Sequence, residues 1–140
     1  MTESERGGGA VSVPMAIAML AMILMIGLAL DGVRAAQGLA RADAVAEEAA
    51  RAAGQALDPA ALFRGVAVVD PVAAQTAAQT YIAAAGASGV ATITASGRIH
   101  VEVVLTRPTL ILGLIGRDQL QSHGSADAVL VPVLPVGGAP

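Results

Sequence analysis

The chain has no cysteine and no tryptophan, and its 140 residues include one tyrosine and one phenylalanine. The absence of cysteine excludes a disulfide, a thiolate nucleophile and a cysteine-based metal site. The scarcity of aromatic residues leaves few large anchors for a ligand or a protein interface. Lysine is absent too, so the eight basic residues are all arginine, and they are scattered in a chain of net charge −3. Without a basic stripe, we expect no nucleic-acid partner.

What is present is a long apolar segment near the N-terminus. Residues 10–30 carry no charge, and Asp31 follows directly. A helix of that length, at about 1.5 Å per residue, crosses the roughly 30 Å hydrocarbon core of a bilayer. A buried core helix is usually shorter and keeps a polar stripe. A cleavable signal peptide is the other alternative, because Gly27-Leu28-Ala29 offers a small-x-small site, but its apolar region is shorter. The segment predicts a retained transmembrane helix.

The regions around this segment divide the chain further. Residues 1–9 predict a disordered polar leader. Residues 31–58 are rich in alanine and predict a juxtamembrane helix, with Glu47 and Arg51 at the favourable i,i+4 spacing. Residues 59–134 suit one small domain, and residues 135–140 a flexible tail. The apolar stripe expected on the juxtamembrane helix consists of Val33, Ala36, Leu39, Ala40, Val45, Ala49, Ala53 and Leu57.

The small domain combines helical and strand patterns. Asp70 can cap a helix over 72–85 that has Pro71 at its first position. Residues 90–95 and 98–107 predict a hairpin with a turn at Ser96-Gly97, and a third strand is expected after residue 119. The fold class is therefore α+β, with a small antiparallel sheet. Its buried row is expected to be Ile99, Val101, Val103 and Leu105, packed on the helix through Ala77, Tyr81 and Ile82. The apolar stretch 109–116 is predicted to be a helical turn that covers the sheet.

Candidate chemistry is sparse. His100 alternates with Glu102 on one strand, and His123 and Asp127 are spaced i,i+4, but neither pair has a third ligand at a zinc-site spacing. Solvated polar residues explain them better. The acidic residues Asp43, Glu47 and Glu48 fit a solvated helix face. We therefore predict no catalytic, cofactor-binding or metal-binding residue, and a protein that is not an enzyme.

Asp31 has three interpretations. A carboxylate at the end of an apolar span can mark an ion path or a helix–helix contact. The favoured interpretation is a boundary residue that reaches water at the membrane interface. Within the span, Ala18, Ala21 and Gly27 offer small surfaces that a second helix could approach, so a helix-mediated oligomer is an open alternative.

The order of these parts resembles a known family. The leader Arg6-Gly7-Gly8-Gly9 precedes the uncharged helix, Leu30-Asp31-Gly32 ends it, and an alanine-rich helix, RADAVAEEAARAAG, follows at 41–54. This order, together with Leu112-Gly113-Leu114-Ile115-Gly116 further on, resembles the TadE/TadG-like proteins of Flp (tight adherence) pilus systems, in the form common in actinobacteria. The resemblance implies a minor pilin-like or assembly protein in the cell membrane, with other pilus-assembly membrane proteins or pilins as partners. It also implies a cytoplasmic N-terminus and an extracytoplasmic C-terminal domain, although Arg34 and Arg41 after the span favour the opposite orientation.

The resemblance also bears on processing. Some family members are cleaved by a prepilin peptidase after a glycine and carry a glutamate at the fifth position of the mature chain. A cut after Gly9 would put Pro14 at that position, so we predict an uncut chain. The alternative function is a membrane-anchored ligand-binding or regulatory module unrelated to pili. A metallohydrolase centred on His100 ranks behind both.

Overall fold

The computed structural model describes residues 8–94 and 97–130. The predicted α+β class is confirmed, with an apolar N-terminal helix, further helices and a three-stranded antiparallel sheet. Residues 1–7 of the expected leader, Ser96 of the expected turn and the expected tail 135–140 lie outside the described residues. The elements, in chain order, are α1 (Gly8–Gly54), α2 (Pro59–Phe63), α3 (Pro71–Ala84), β1 (Ser88–Ile93), β2 (Arg98–Pro108), a 3-10 turn (Leu112–Ile115) and β3 (Gln119–Val129).

The chain divides into two compact units. The first, here called the helix unit, consists of Met1–Ala35 and Pro108–Leu120. The second, here called the sheet unit, consists of Ala36–Arg107 and Gln121–Pro140. Helix α1 contributes to both units, as do β2 and β3.

Helix α1 is the dominant element. Among the described residues it is the one helix long and apolar enough to cross a membrane, and its apolar portion is almost entirely exposed. Alanine and leucine favour its continuation beyond the apolar segment. Because α1 begins at Gly8, Pro14 lies inside the helix. The helix ends at Gly54, four residues before the end of the predicted juxtamembrane helix at residue 58.

Two Asp-Pro pairs begin the other helices. The Asp70 carboxylate accepts hydrogen bonds from the amides of Val72 and Ala73, and Pro71 is the first residue of α3, as predicted. Asp58 accepts from the amide of Ala60 in the same way and begins α2. Asp58-Pro59 thus starts a short helix that was not predicted from the sequence.

The sheet has the order β1-β2-β3. Strands β1 and β2 are antiparallel, with Ala91 opposite Val101 and Ile93 opposite Ile99. Gly97 has a φ of 70°, a left-handed conformation that suits glycine in the connection between them. The predicted buried row is confirmed. All four side chains lie in the interior: Ile99, Val101, Val103 and Leu105.

The core of the sheet unit is built largely from small residues. Helix α3 buries Ala74, Ala78 and Ile82, so the prediction is right for Ile82 and wrong for Ala77 and Tyr81, which are partly exposed. A closely packed helix face favours alanine over a large ring with a polar tip. The α1 residues of the same core are Val45, Ala46, Ala49, Ala50 and Ala53.

The predicted stripe on α1 is correct only in its second half. Val45, Ala49 and Ala53 are buried, but the other predicted members are exposed: Val33, Ala36, Leu39, Ala40 and Leu57, the last of which lies beyond the end of α1. The buried residues upstream are Gly38 and Ala42, because β3 crosses α1 very closely there. A Cβ on Gly38 would overlap Ser122 Oγ. The crossing therefore selects the smallest side chains rather than the most apolar ones.

Candidate functional site at Asp31

The most elaborate polar contact of the helix unit is made by Asp31. Its Oδ1 accepts a hydrogen bond of 2.8 Å from the amide of Leu110. Its Oδ2 accepts from the amides of Ile111 at 2.8 Å and Leu112 at 3.0 Å. The residue is 2% exposed. The expectation of a boundary residue that reaches water is therefore wrong, since the carboxylate is enclosed by the connection between β2 and β3.

A glycine one turn earlier completes the contact. Gly27 lies four residues before Asp31, on the same face of α1, and is buried. A Cβ at this position would overlap Ile111 Cγ1 and lie 2.7 Å from Ile111 Cδ1. Gly27 therefore leaves a gap that Ile111 fills. The small surface that could have received a second helix is occupied by the chain itself, while Ala18 and Ala21 remain exposed.

The connection that contacts α1 is also stabilised by hydrogen bonds between its own residues. The amide of Thr109 donates to the carbonyl of Asp118, and its hydroxyl donates to the carbonyl of Arg117 at 2.5 Å. Gly116 ends the 3-10 turn with a φ of 82°. The prediction of a helical turn within 109–116 is right. Within the helix unit the turn lies against α1, and the covering of the sheet stays a prediction.

The arrangement is structural rather than chemical. The amides at the start of a helical turn have no partner within the turn. One carboxylate with two oxygens satisfies the amide of Leu112, the first residue of the turn, and the amides of Leu110 and Ile111 before it, and so holds the connection to α1. Hydrogen bonds to an ionised acceptor are stronger than those between neutral groups. The contact is made wholly within one chain. Neither the ion-path interpretation of Asp31 nor the helix–helix interpretation describes such a contact.

The histidine candidates lie elsewhere. His100 Nδ1 is 3.1 Å from Asp127 Oδ1, and His100 Nε2 is 3.5 Å from Glu102 Oε1. The hydrogen bond to Asp127, followed by the one to Glu102, raises the pKa of His100 above its ordinary value of 6.5. The structure thus pairs Asp127 with His100 rather than with His123. In residues 8–94 and 97–130, no cluster of three or more histidine or acidic side chains could hold a metal ion.

The acidic residues of α1 are surface groups. Arg51 pairs with Glu48 at 2.7 Å, so the expected Glu47–Arg51 pair is replaced by its i,i+3 neighbour. Both spacings bring side chains together on a helix surface, and both partners of the observed pair are largely exposed. Asp43 lines an open cleft of about 280 Å³ together with Glu102 and His123.

Sequence reasoning identified Asp31 but missed its partners. The amides of Leu110 to Leu112 lie about eighty positions further along the chain, beyond any local spacing rule. Two signals were present. First, Asp31 directly follows the apolar span, and the small residue Gly27 lies one helical turn before it. Second, residues 109–116 are also uncharged and lack the alternation of a strand.

Comparison with known proteins gave a match in the N-terminal part of the chain. No curated protein and no solved structure matches the chain. The family model described as "Putative Flp pilus-assembly TadE/G-like" (Tad) matches residues 9–56. The match covers the apolar helix, Asp31 and the alanine-rich continuation of α1. It confirms, over residues 9–56, the resemblance that the sequence indicates.

Proposed function

We propose that the chain is a membrane-anchored, minor pilin-like or assembly component of a Flp/Tad-type pilus or secretion apparatus. The observation that carries this proposal is the TadE/G-like match over residues 9–56. The matched segment contains the helix that is long and apolar enough to cross a membrane. A single-pass membrane protein with a pilus-assembly segment is the simplest protein that fits both findings.

The proposed topology has a cytoplasmic N-terminus and an extracytoplasmic domain over residues 59–134. The transmembrane segment is 10–30, and 31–58 continues it as a juxtamembrane helix. A reporter enzyme that works only outside the cytoplasm, fused after Pro140, is expected to be active. A stably expressed but inactive fusion would place the domain in the cytoplasm, as the arginines after the span suggest.

The protein is proposed to act by docking rather than by catalysis. Its partners are other pilus-assembly membrane proteins or pilins. The best-formed contact of the helix unit, at Asp31, joins two parts of the same chain and leaves no reactive group facing a cavity. This favours a structural role for the most enclosed acidic residue of the described chain.

The test is deletion of the gene in its own bacterium followed by complementation. We expect the deletion to reduce surface pili, counted by electron microscopy, and the parent gene to restore them. Asp31→Asn is expected to restore fewer pili, while Asp43→Asn, an exposed carboxylate on the same helix, should complement fully. Immunoblots of the membrane fraction check that both variants accumulate. Normal piliation without the gene would refute the proposal.

A further inference from the structure

The connection between β2 and β3 is unusually apolar for a surface segment. Residues 108–116 carry no charge, and Arg107 and Arg117 flank them. Leu114 and Ile115 are each 75% exposed, and Leu110 is 47% exposed. A turn that presents three large aliphatic side chains outward is costly in water, at about 25 cal/mol for each Å² of apolar surface. Something other than water is therefore expected to cover it.

The position of this turn along α1 indicates what covers it. It lies beside the end of the apolar segment, with a cleft of about 290 Å³ lined by Leu24, Met25, Leu28, Ile111, Leu112 and Ile115. Leu24 precedes Leu30 by about 9 Å along a helix axis that rises about 1.5 Å per residue. The turn therefore runs alongside the last turn and a half of the segment assigned to the bilayer. Met25 and Leu28, next to it, are themselves exposed apolar residues.

The backbone of this segment suits a lipid environment. Non-helical backbone at membrane depth is tolerated only where its polar groups are satisfied by the protein. The amides of Leu110, Ile111 and Leu112 donate to Asp31. The amides of Leu114, Gly116 and Arg117 donate to carbonyls within the segment, and that of Thr109 donates to Asp118. Asp31 thus satisfies three backbone amides that would otherwise favour keeping this turn in water.

We propose that residues 110–115 insert into the same leaflet as the end of the anchor helix, so that both the helix and this turn contact lipid. The inference rests on the proposed membrane anchoring of α1. The occupant is lipid because the exposed side chains of the turn continue the exposed apolar surface of the helix. Arg34 follows the apolar span and Arg117 follows the apolar turn, and both are exposed, so anionic headgroups can attract them.

The test uses the full chain in vesicles of phosphatidylcholine and phosphatidylglycerol. The absence of cysteine allows single labels to be placed without removing native thiols. An environment-sensitive dye is attached to Leu114→Cys, to Met25→Cys as the reporter of the anchor helix, and to Ala83→Cys on the exposed side of α3. Lipids brominated on their acyl chains quench dyes in the bilayer, and aqueous iodide quenches dyes in water.

We expect the lipid quencher to act on Leu114→Cys about as strongly as on Met25→Cys, and iodide to act on Ala83→Cys alone. Adding Asp31→Asn should release Leu114→Cys to iodide and leave Met25→Cys in lipid. Iodide quenching at Leu114→Cys with lipid quenching at Met25→Cys would overturn the inference while the anchor stands. Protection of Leu114→Cys from both quenchers would overturn it in favour of contact with a second copy of the chain. Iodide quenching at Met25→Cys would refute the membrane anchoring as well.

Discussion

The tight crossing of β3 over α1 gives the sharpest stability prediction. Gly124 on β3 lies against the backbone of Ala42 and Asp43, and a Cβ there would overlap both residues. Every atom it would meet is a backbone atom, so no side chain can turn aside. Gly124→Ala therefore has to push the strand away from the helix. The neighbouring contact of Gly38 with Ser122 would open with it.

The size of the effect follows from this geometry. Overpacking a filled core costs about 1–3 kcal/mol, and the value should lie at the upper end where only backbone can yield. For a unit of this size, each 1 kcal/mol lowers Tm by roughly 4–8 °C. Gly124→Ala should therefore lower Tm by more than about 10 °C. Gly54→Ala is the matched control, because a Cβ there meets nothing within 4 Å. Because Gly54 is the last residue of α1, alanine there should stabilise slightly, by less than the roughly 0.5–1 kcal/mol typical of the middle of a helix.

Thermal melts of the two full-length variants in detergent micelles, followed by circular dichroism, decide the point. We expect the two alanine substitutions to move Tm in opposite directions from the parent. If Gly124→Ala melts at or above the parent temperature, β3 does not cross α1 at this distance. The assignment of Gly38 and Ala42 to the buried seam would then fail too.

Further predictions follow from single contacts. Val103→Asp buries an unpaired carboxylate in the sheet core and should lower the free energy of unfolding by more than about 4 kcal/mol. The full chain should then lose its cooperative melting transition. An unchanged melt would refute the assignment of Val103 to the buried face of β2. Gly27→Leu should displace the β2–β3 connection and speed tryptic cleavage at Arg117, while Gly32→Leu, at a site with free space, should not. The raised pKa of His100 stabilises the fold below the unfolded value of 6.5, so Tm should fall as pH rises through the folded pKa, and His100→Gln should flatten that dependence. N-terminal sequencing of the membrane-bound protein should find no chain that begins at Ala10.

Periodic patterns were the reliable guide to this fold. The strict alternation from Ile99 to Leu105 predicts a half-buried strand and its inner row, because side chains of a strand alternate between two faces. The capping pair Asp70-Pro71 predicts the start of α3 from local hydrogen bonding alone. The same local pattern at Asp58-Pro59 is sufficient to predict the start of α2.

Contacts between distant segments could not be predicted in the same way. The stripe on α1 was inferred from large apolar residues, but close approach of β3 buries Gly38 and Ala42 and leaves Leu39 outside. The partners of Asp31 depend on where the β2–β3 connection folds back. Both features arise from tertiary packing, which overrides local hydrophobicity and leaves no spacing in the sequence. The sequence therefore indicated Asp31 as a candidate residue but did not indicate which residues it contacts.

Isolation of the chain from its own membranes tests the central claim most directly. An affinity-tagged copy, expressed from its own locus, is cross-linked in intact cells and purified from solubilised membranes, with an unrelated single-pass protein of similar abundance as the control. Mass spectrometry is expected to show enrichment of Flp pilus-assembly membrane proteins or pilins over the control. A purified chain that brings down none of these proteins, in cells that are assembling pili, would contradict the account.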